Sequence, residues 1–345
     1  MHATGRSASR LVTVAFVVGV ALAVALTTLF VPTLEAQFSK RATSRITATW
    51  TSSQAALGEN VTVRGRVYSR YQAGRAVNLY TYLKSGWRRV AYTRTGANGY
   101  YTVKLPTGYY YQRPQQLRVG ATSRAAGGTT ASRSYAVVPA YAPGGLTSDW
   151  VARAPGREYR FNPCVPVTFA MNNLQGTPGA VADVKAAFEL VHQATGITFK
   201  SLGTTTAYPK AGAVSPADIL VAWGTQADTG FTLPPESMSY SGLLDTNRAH
   251  DAQGPVTRIV KAGIMVNSAE NSWVDEHAAS QMRVRVLMHE IGAVVGLGPV
   301  GARYQRMQEG VYPVDITNWG AGDLAGLSRV GLVEGCVTDG AARAK

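Results

Sequence analysis

The sequence of 345 residues predicts a multidomain chain in three parts: an N-terminal transmembrane or signal segment, an all-β sandwich, and a mixed α+β domain. Three observations predict it. Residues 11–31 form one uncharged apolar run. Residues 45–138 fall into about seven short stretches of alternating polarity, separated by Gly- and Asn-containing turns. Beyond a Pro/Gly-rich stretch at 139–149 the period changes, and helical spacings are interleaved with apolar strands.

The first part covers residues 1–39. Its run Leu11–Val31 follows Arg6 and Arg10, and 21 residues at ~1.5 Å each reach across a hydrocarbon core of ~30 Å. The flanking arginines orient it with the N-terminus in the cytoplasm. Leu34-Glu35-Ala36 is a fair cleavage site, so both a retained single-pass anchor and a cleaved signal are expected readings. Either one makes the rest of the chain extracytoplasmic, membrane-anchored or secreted.

The second part, 40–138, carries the basicity of the chain. It holds sixteen Lys and Arg against the single Glu59, whereas residues 141–345 hold sixteen basic against eighteen acidic residues. Val61, Val63 and Val67 alternate with polar neighbours, as do Val77, Leu79, Thr81 and Leu83. Turns are expected at Ala73-Gly74, Lys84-Ser85-Gly86 and Asn98-Gly99. GWRRVAYTRTGANGYYTVKLP (Gly86–Pro106) resembles the immunoglobulin-like modules of secreted actinobacterial proteins, which implies a β-sandwich. Tyr80, Tyr82, Arg88, Arg94, Tyr101 and Lys104 are expected on its outward positions. Such a face suits an anionic envelope polymer or lipid headgroups, and export argues against nucleic acid. The competing reading is a merely solvated basic surface.

The stretch 139–149 is the expected linker and 150–345 the third part. A strand is expected at Val165–Met171. A helix is expected at Pro178–Thr195 with Val181, Val184, Phe188 and Val191 on one face, and further strands at Ile197–Leu202, Asp218–Trp223 and Gly263–Val266. Gly224–Pro255 is rich in Gly, Ser and Asp and weakly patterned. The two cysteines, Cys164 and Cys336, are expected to pair across about 170 residues; a metal site is the weaker reading, since neither has a His or Cys neighbour.

Chemistry concentrates in RVLMHEIGAVVGLGPVGARYQRMQEGVY (Arg285–Tyr312). A catalytic zinc takes three protein ligands and one open position. A helix can supply two as histidines four residues apart, with a glutamate after the first as general base. His289, Glu290, Gly296, Leu297, Gly298 and Met307, followed by WGAGDLAGL (Trp319–Leu327), resemble a matrixin-like metallopeptidase of the metzincin kind, over roughly 149–331. The resemblance implies zinc as cofactor, His289 as ligand, Glu290 as catalytic base and Met307 as the methionine turn. At the second and third ligand positions stand Ala293 and Pro299. The expected function is therefore a degenerate peptidase with a vacated zinc site, binding or scaffolding through its cleft. Two alternatives stand beside it: an active zinc endopeptidase with non-standard ligands, and a polymer-binding protein acting through the basic sandwich. Among the other histidines, His2 precedes the apolar run, His192 lies on the domain's first helix and His277 lies three turns before His289. His250, next to Asp251, is the remaining candidate for a replacement ligand. Calcium at Asp245 and Asp251 lacks a supporting ligand spacing, and Asp323 is expected to cap the last helix.

Overall fold

Alternation of β-branched and polar residues builds two facing sheets in the first half of the computed structural model. The structure describes residues 45–59, 61–69, 71–105, 115–122, 128–131, 133–229, 231, 237–269, 276–309 and 317–339. Nine strands come first: β1 (Arg45–Trp50), β2 (Gln54–Ala56), β3 (Val61–Tyr68), β4 (Ala76–Leu83), β5 (Gly86–Arg94), β6 (Tyr100–Leu105), β7 (Gln115–Thr122), β8 (Gly128–Thr129) and β9 (Arg133–Val138). One sheet has the order β1-β3-β6. The other runs β2-β9-β7-β4-β5, with β8 on β7. Val61, Val63 and Val67 of the first sheet are buried with Val77, Leu79 and Leu83 of the second, the inward half of the period-2 pattern. Gly65 faces the Tyr101 ring: a Cβ there would lie 2.5 Å from the Tyr101 hydroxyl, which donates to the Thr47 carbonyl at 2.6 Å.

The second half is laid on a mixed sheet. Its elements are β10 (Val151–Ala152), β11 (Tyr159–Arg160), β12 (Val167–Asn172), α1 (Ala180–Thr195), β13 (Phe199–Thr204), β14 (Ile219–Gly224), α2 (Gln226–Thr229), β15 (Ser239–His250), β16 (Pro255–Asn267), α3 (Glu276–Val295), β17 (Leu297–Gly298), α4 (Ala321–Val330) and β18 (Thr338–Asp339). The strand order is β13-β12-β14-β16-β15-β18, with β11 also on β16. Strands β13, β12, β14 and β16 are parallel, and β15 is antiparallel to β16. Burial on both faces explains why β14, Ile-Leu-Val-Ala-Trp-Gly, is buried throughout. Helix α1 packs Val184, Phe188 and Val191 into the same core as Leu287, Ile291 and Val294 of α3. At its end Gly196 takes φ 72° and returns its N–H to the His192 carbonyl.

The two halves meet closely, and all described residues belong to one compact unit. Leu332, in a short 3-10 turn at Leu332–Glu334, is buried in the core of the sandwich. Lys84 pairs with Glu334. Arg88 donates to the Cys164 carbonyl at 2.9 Å and to Cys336 Sγ at 3.1 Å. Cys164 and Cys336 form a disulfide.

Several expectations need correction. The fold class is corrected: among the described residues the protein is mostly β, with 20% helix. The excess strand comes from the long hairpin β15–β16, which occupies much of the weakly patterned stretch. Its alternation is broken by bulges between Leu243 and Thr246, and its Gly, Ser and Asp residues have little strand propensity. The transmembrane segment and signal anchor, and with them a single-pass membrane-anchored localisation, are also corrected. Among the described residues no helix is long and apolar enough to cross a membrane, and the run 11–31 lies outside the described residues. The longest helix among the described residues, the 20-residue α3, carries Arg283, Arg285, His289 and Glu290, and its Arg283 is buried in a pair with Asp183 of α1.

Candidate functional site

Helix α3 carries His289 and Glu290, and the turns on either side of its C-terminus decide what they can do. His289 Nδ1 lies 2.8 Å from the Arg306 carbonyl. This fixes the orientation of the ring, as a backbone carbonyl can do for a metal-binding imidazole. Glu290 is only 5% exposed and accepts a hydrogen bond from Ser239 Oγ at 2.6 Å. Its carboxylate is thereby tied to the start of β15.

One turn beyond His289, Ala293 is buried and contributes no side-chain donor. Its carbonyl is occupied instead: Arg153 Nη1 donates to it at 2.7 Å, and Arg153 Nη2 donates to the Ser241 carbonyl at 3.3 Å. Burial holds the Arg153 pKa below the usual arginine range, while Tyr240 and Glu290 pull it back upward. The helix then breaks at Gly296, whose φ of 129° is forbidding for a side chain. A Cβ there would also lie 2.0 Å from the Tyr159 carbonyl. The chain leaves as β17 against β10 and brings Pro299 to the surface.

The methionine lies under the helix. Met307 is buried, and a Cβ on Gly292 would come within 2.8 Å of its Sδ. The turn is held by Val300 donating to the Met307 carbonyl at 2.8 Å and by Asp323, at the third position of α4. Asp323 accepts from the backbone N–H of Arg306, from Met307 N at 3.1 Å and from Gly320 N at 2.8 Å. It therefore caps α4 through Gly320 and also anchors the turn that carries Arg306 and Met307. Arg306 itself is fully buried, and its guanidinium nitrogens have no hydrogen-bond partner among the described residues. Burial pulls its pKa down to about 10, with Asp323 opposing and Arg285 adding to the shift.

Burial pushes the Asp323 pKa up to about 6, and the three backbone bonds only partly offset this. A carboxyl with a raised folded-state pKa contributes stability that is complete below its unfolded value near 3.8 and is lost as pH rises through 6. Asp323→Asn should therefore differ most from the native chain near pH 4. The native-minus-variant stability difference should shrink by up to roughly 3 kcal/mol by neutrality. Urea unfolding at a series of pH values checks it, and a pH-independent difference would show that Asp323 does not titrate in this range.

Beside this region a cavity of about 650 Å³ opens along β15, lined by Arg153, Tyr159, Phe231, Tyr240 and Asp245 among others. On its outer side β15 pairs with β18 only at Ala249 and His250. From Ser239 to Arg248 that edge has no strand partner among the described residues.

The other candidate ligands are dispersed. His250 is at the far end of β15, eleven residues from Ser239, or roughly 35 Å along an extended strand. His192 Nδ1 is 2.8 Å from the Ile197 carbonyl at the end of α1. His277 lies on α3 twelve residues before His289, about 18 Å along the axis. Asp251 is paired with Arg160, whereas Asp245 lines the cavity. No protein-family model matches the chain, and no curated protein matches it. The resemblance to metallopeptidases thus rests on the residues themselves. Among the described residues no group of three His, Cys, Asp or Glu side chains could hold a metal ion. A zinc needs three donors and an open position; His289 supplies one, and Ala293 and Pro299 supply none. The residues at the three positions of the pattern therefore do not make up a zinc-binding set.

Sequence reasoning missed Arg153, Ser239 and Arg306. No local motif marks them. Each reaches the site through a pairing or turn distant in sequence, and only Arg306, adjoining Met307, lay next to a residue already singled out.

Proposed function

We propose that residues 150–345 form a matrixin-like metallopeptidase domain that has given up its metal and retains the cleft as a peptide-binding surface. One observation carries the reading. The imidazole of His289 keeps a backbone bond of the kind that orients a zinc ligand, while the second ligand position four residues on, Ala293, has its carbonyl taken by Arg153. Positioning groups outlast the ligands they served. With one donor left, Glu290 has no metal-bound water to deprotonate, and its bond to Ser239 makes it a fixed polar wall of the cleft. The open edge of β15 supports an extended peptide adding as a further strand, with the Arg153–Tyr240 cavity beneath it for a side chain.

Metal analysis and peptide cleavage test the reading together. The purified chain should hold far less than one zinc per molecule and cleave no peptide. Ala293→His with Pro299→His should raise zinc to about one per chain, since three imidazoles then complete the set. One tightly bound zinc in the native chain, with proteolysis abolished by Glu290→Gln, would overturn the proposal in favour of an active endopeptidase.

A further inference from the structure

The basic residues of the sandwich are divided between its two sheets. On the second sheet, Lys84 and Arg88 are turned toward the junction, where they meet Glu334, the Cys164 carbonyl and Cys336. The first sheet presents its cations to solvent. Its register aligns Arg45 with Tyr68, Thr47 with Arg66 and Tyr100, Thr49 with Arg64 and Thr102, and Thr62 with Lys104. These residues all lie on the outward face, opposite Val61, Val63 and Val67. Arg45, Arg66, Arg64 and Lys104 therefore descend one row at a time from β1 across β3 to β6. Two residues along a strand span roughly 6.8 Å and adjacent strands lie about 4.8 Å apart, so the four Cα positions follow a diagonal in steps of roughly 7–8 Å.

Among the described residues none of the four cations of this staircase joins an ion pair. Its centre is rigid. Arg66 donates from Nε to the Asn98 carbonyl at 3.0 Å and from Nη2 to Gln72 Oε1 at 3.3 Å. Its guanidinium stands 5.0 Å from the ring centroids of both Tyr68 and Tyr100. A cation fixed in this way loses little side-chain entropy on meeting an anion.

We infer that this face binds a linear phosphodiester-linked polyol, laid along the diagonal with successive phosphates on successive cations. Charge complementarity and interval select a chain with an anion every few saturated bonds, and the hydroxyls of Thr49, Thr62 and Thr102 lie between the cations to meet those of the polyol. Single-stranded nucleic acid fits less well. Base stacking needs open aromatic faces, and Arg66 covers one face of each tyrosine. A lipid surface fits less well too, because the outward face places no aliphatic side chain to insert.

The test titrates the full chain with a synthetic poly(glycerol phosphate), a single-stranded DNA of equal charge and vesicles rich in phosphatidylglycerol, at several salt concentrations. Affinity for the polyol phosphate should fall with log salt at a slope of about −0.7 per phosphate engaged, near −3 in total. Arg64→Gln with Lys104→Gln should weaken binding at least roughly tenfold at low salt and reduce the slope by about 1.4. Lys104→Gln alone, remote from the Arg66 stack, should give about half that slope change. Arg89→Gln, on β5 of the other sheet, should change neither. Absence of binding at low salt, equal losses from Arg89→Gln, or tighter binding of the DNA or the vesicles would each overturn the assignment.

Discussion

Replacing Cys164 and Cys336 by serine should destabilise the protein by about 5 kcal/mol in the chain-entropy limit, and by not less than about 2 kcal/mol. The bridge joins residues 172 apart, so its loss frees a long segment of the unfolded chain. It also sits where the two halves touch. Arg88 bonds to both of its ends, and Leu332, four residues before Cys336, is seated in the sandwich core. Urea unfolding should show a lower midpoint for the double variant. Reductant should shift the native chain by a similar amount and leave the variant unmoved. A native chain as sensitive as the variant without reductant would show that the bridge is not closed in solution. An unchanged midpoint in the variant would show that the junction holds without it.

How legible the molecule was depends on whether a residue's partner could be inferred from its neighbours in sequence. Val61, Val63 and Val67 announce their strand because alternation is local, and Val184, Phe188 and Val191 announce the buried face of α1 for the same reason. The cysteine pair was readable because two cysteines leave one pairing. The β15–β16 hairpin was not: its bulges and its small polar residues erase the period, and its stability comes from pairing with β14 and from α3 packed against it. The site divides in the same way. His289, Glu290, Gly296 and Met307 carry a recognisable order, whereas Arg153 and Ser239 reach Ala293 and Glu290 from 140 and 51 residues away. Counting the vacated ligands required only the sequence. Seeing that Arg153 takes the Ala293 carbonyl and Ser239 the Glu290 carboxylate required the fold.

Asp251 gives the second large effect, and it adjoins His250, the one histidine left as a candidate replacement ligand. Arg160 is fully buried and paired with Asp251, whose side chain is 3% exposed. The other oxygen of Asp251 accepts from Gln253 N at 2.7 Å and Gly254 N at 2.9 Å. Arg160 Nη1 donates to the Gly335 carbonyl at 3.1 Å, so the pair ties the hairpin turn after His250 to the residue next to Cys336. Asp251→Ala should cost about 3–5 kcal/mol, because it leaves a guanidinium buried with only a carbonyl to satisfy it. Asp251→Asn with Arg160→Met keeps an acceptor for the turn and removes the stranded charge. It should recover stability to within about 1–2 kcal/mol of the native chain, since a buried pair returns little beyond its own desolvation cost. Were the double variant as unstable as Asp251→Ala, the carboxylate would matter through the turn rather than through the arginine. In either case Asp251 is committed to structure. His250, the remaining candidate for a substitute ligand, therefore has a neighbour already engaged with Arg160, and its place at the far end of β15 keeps it from His289.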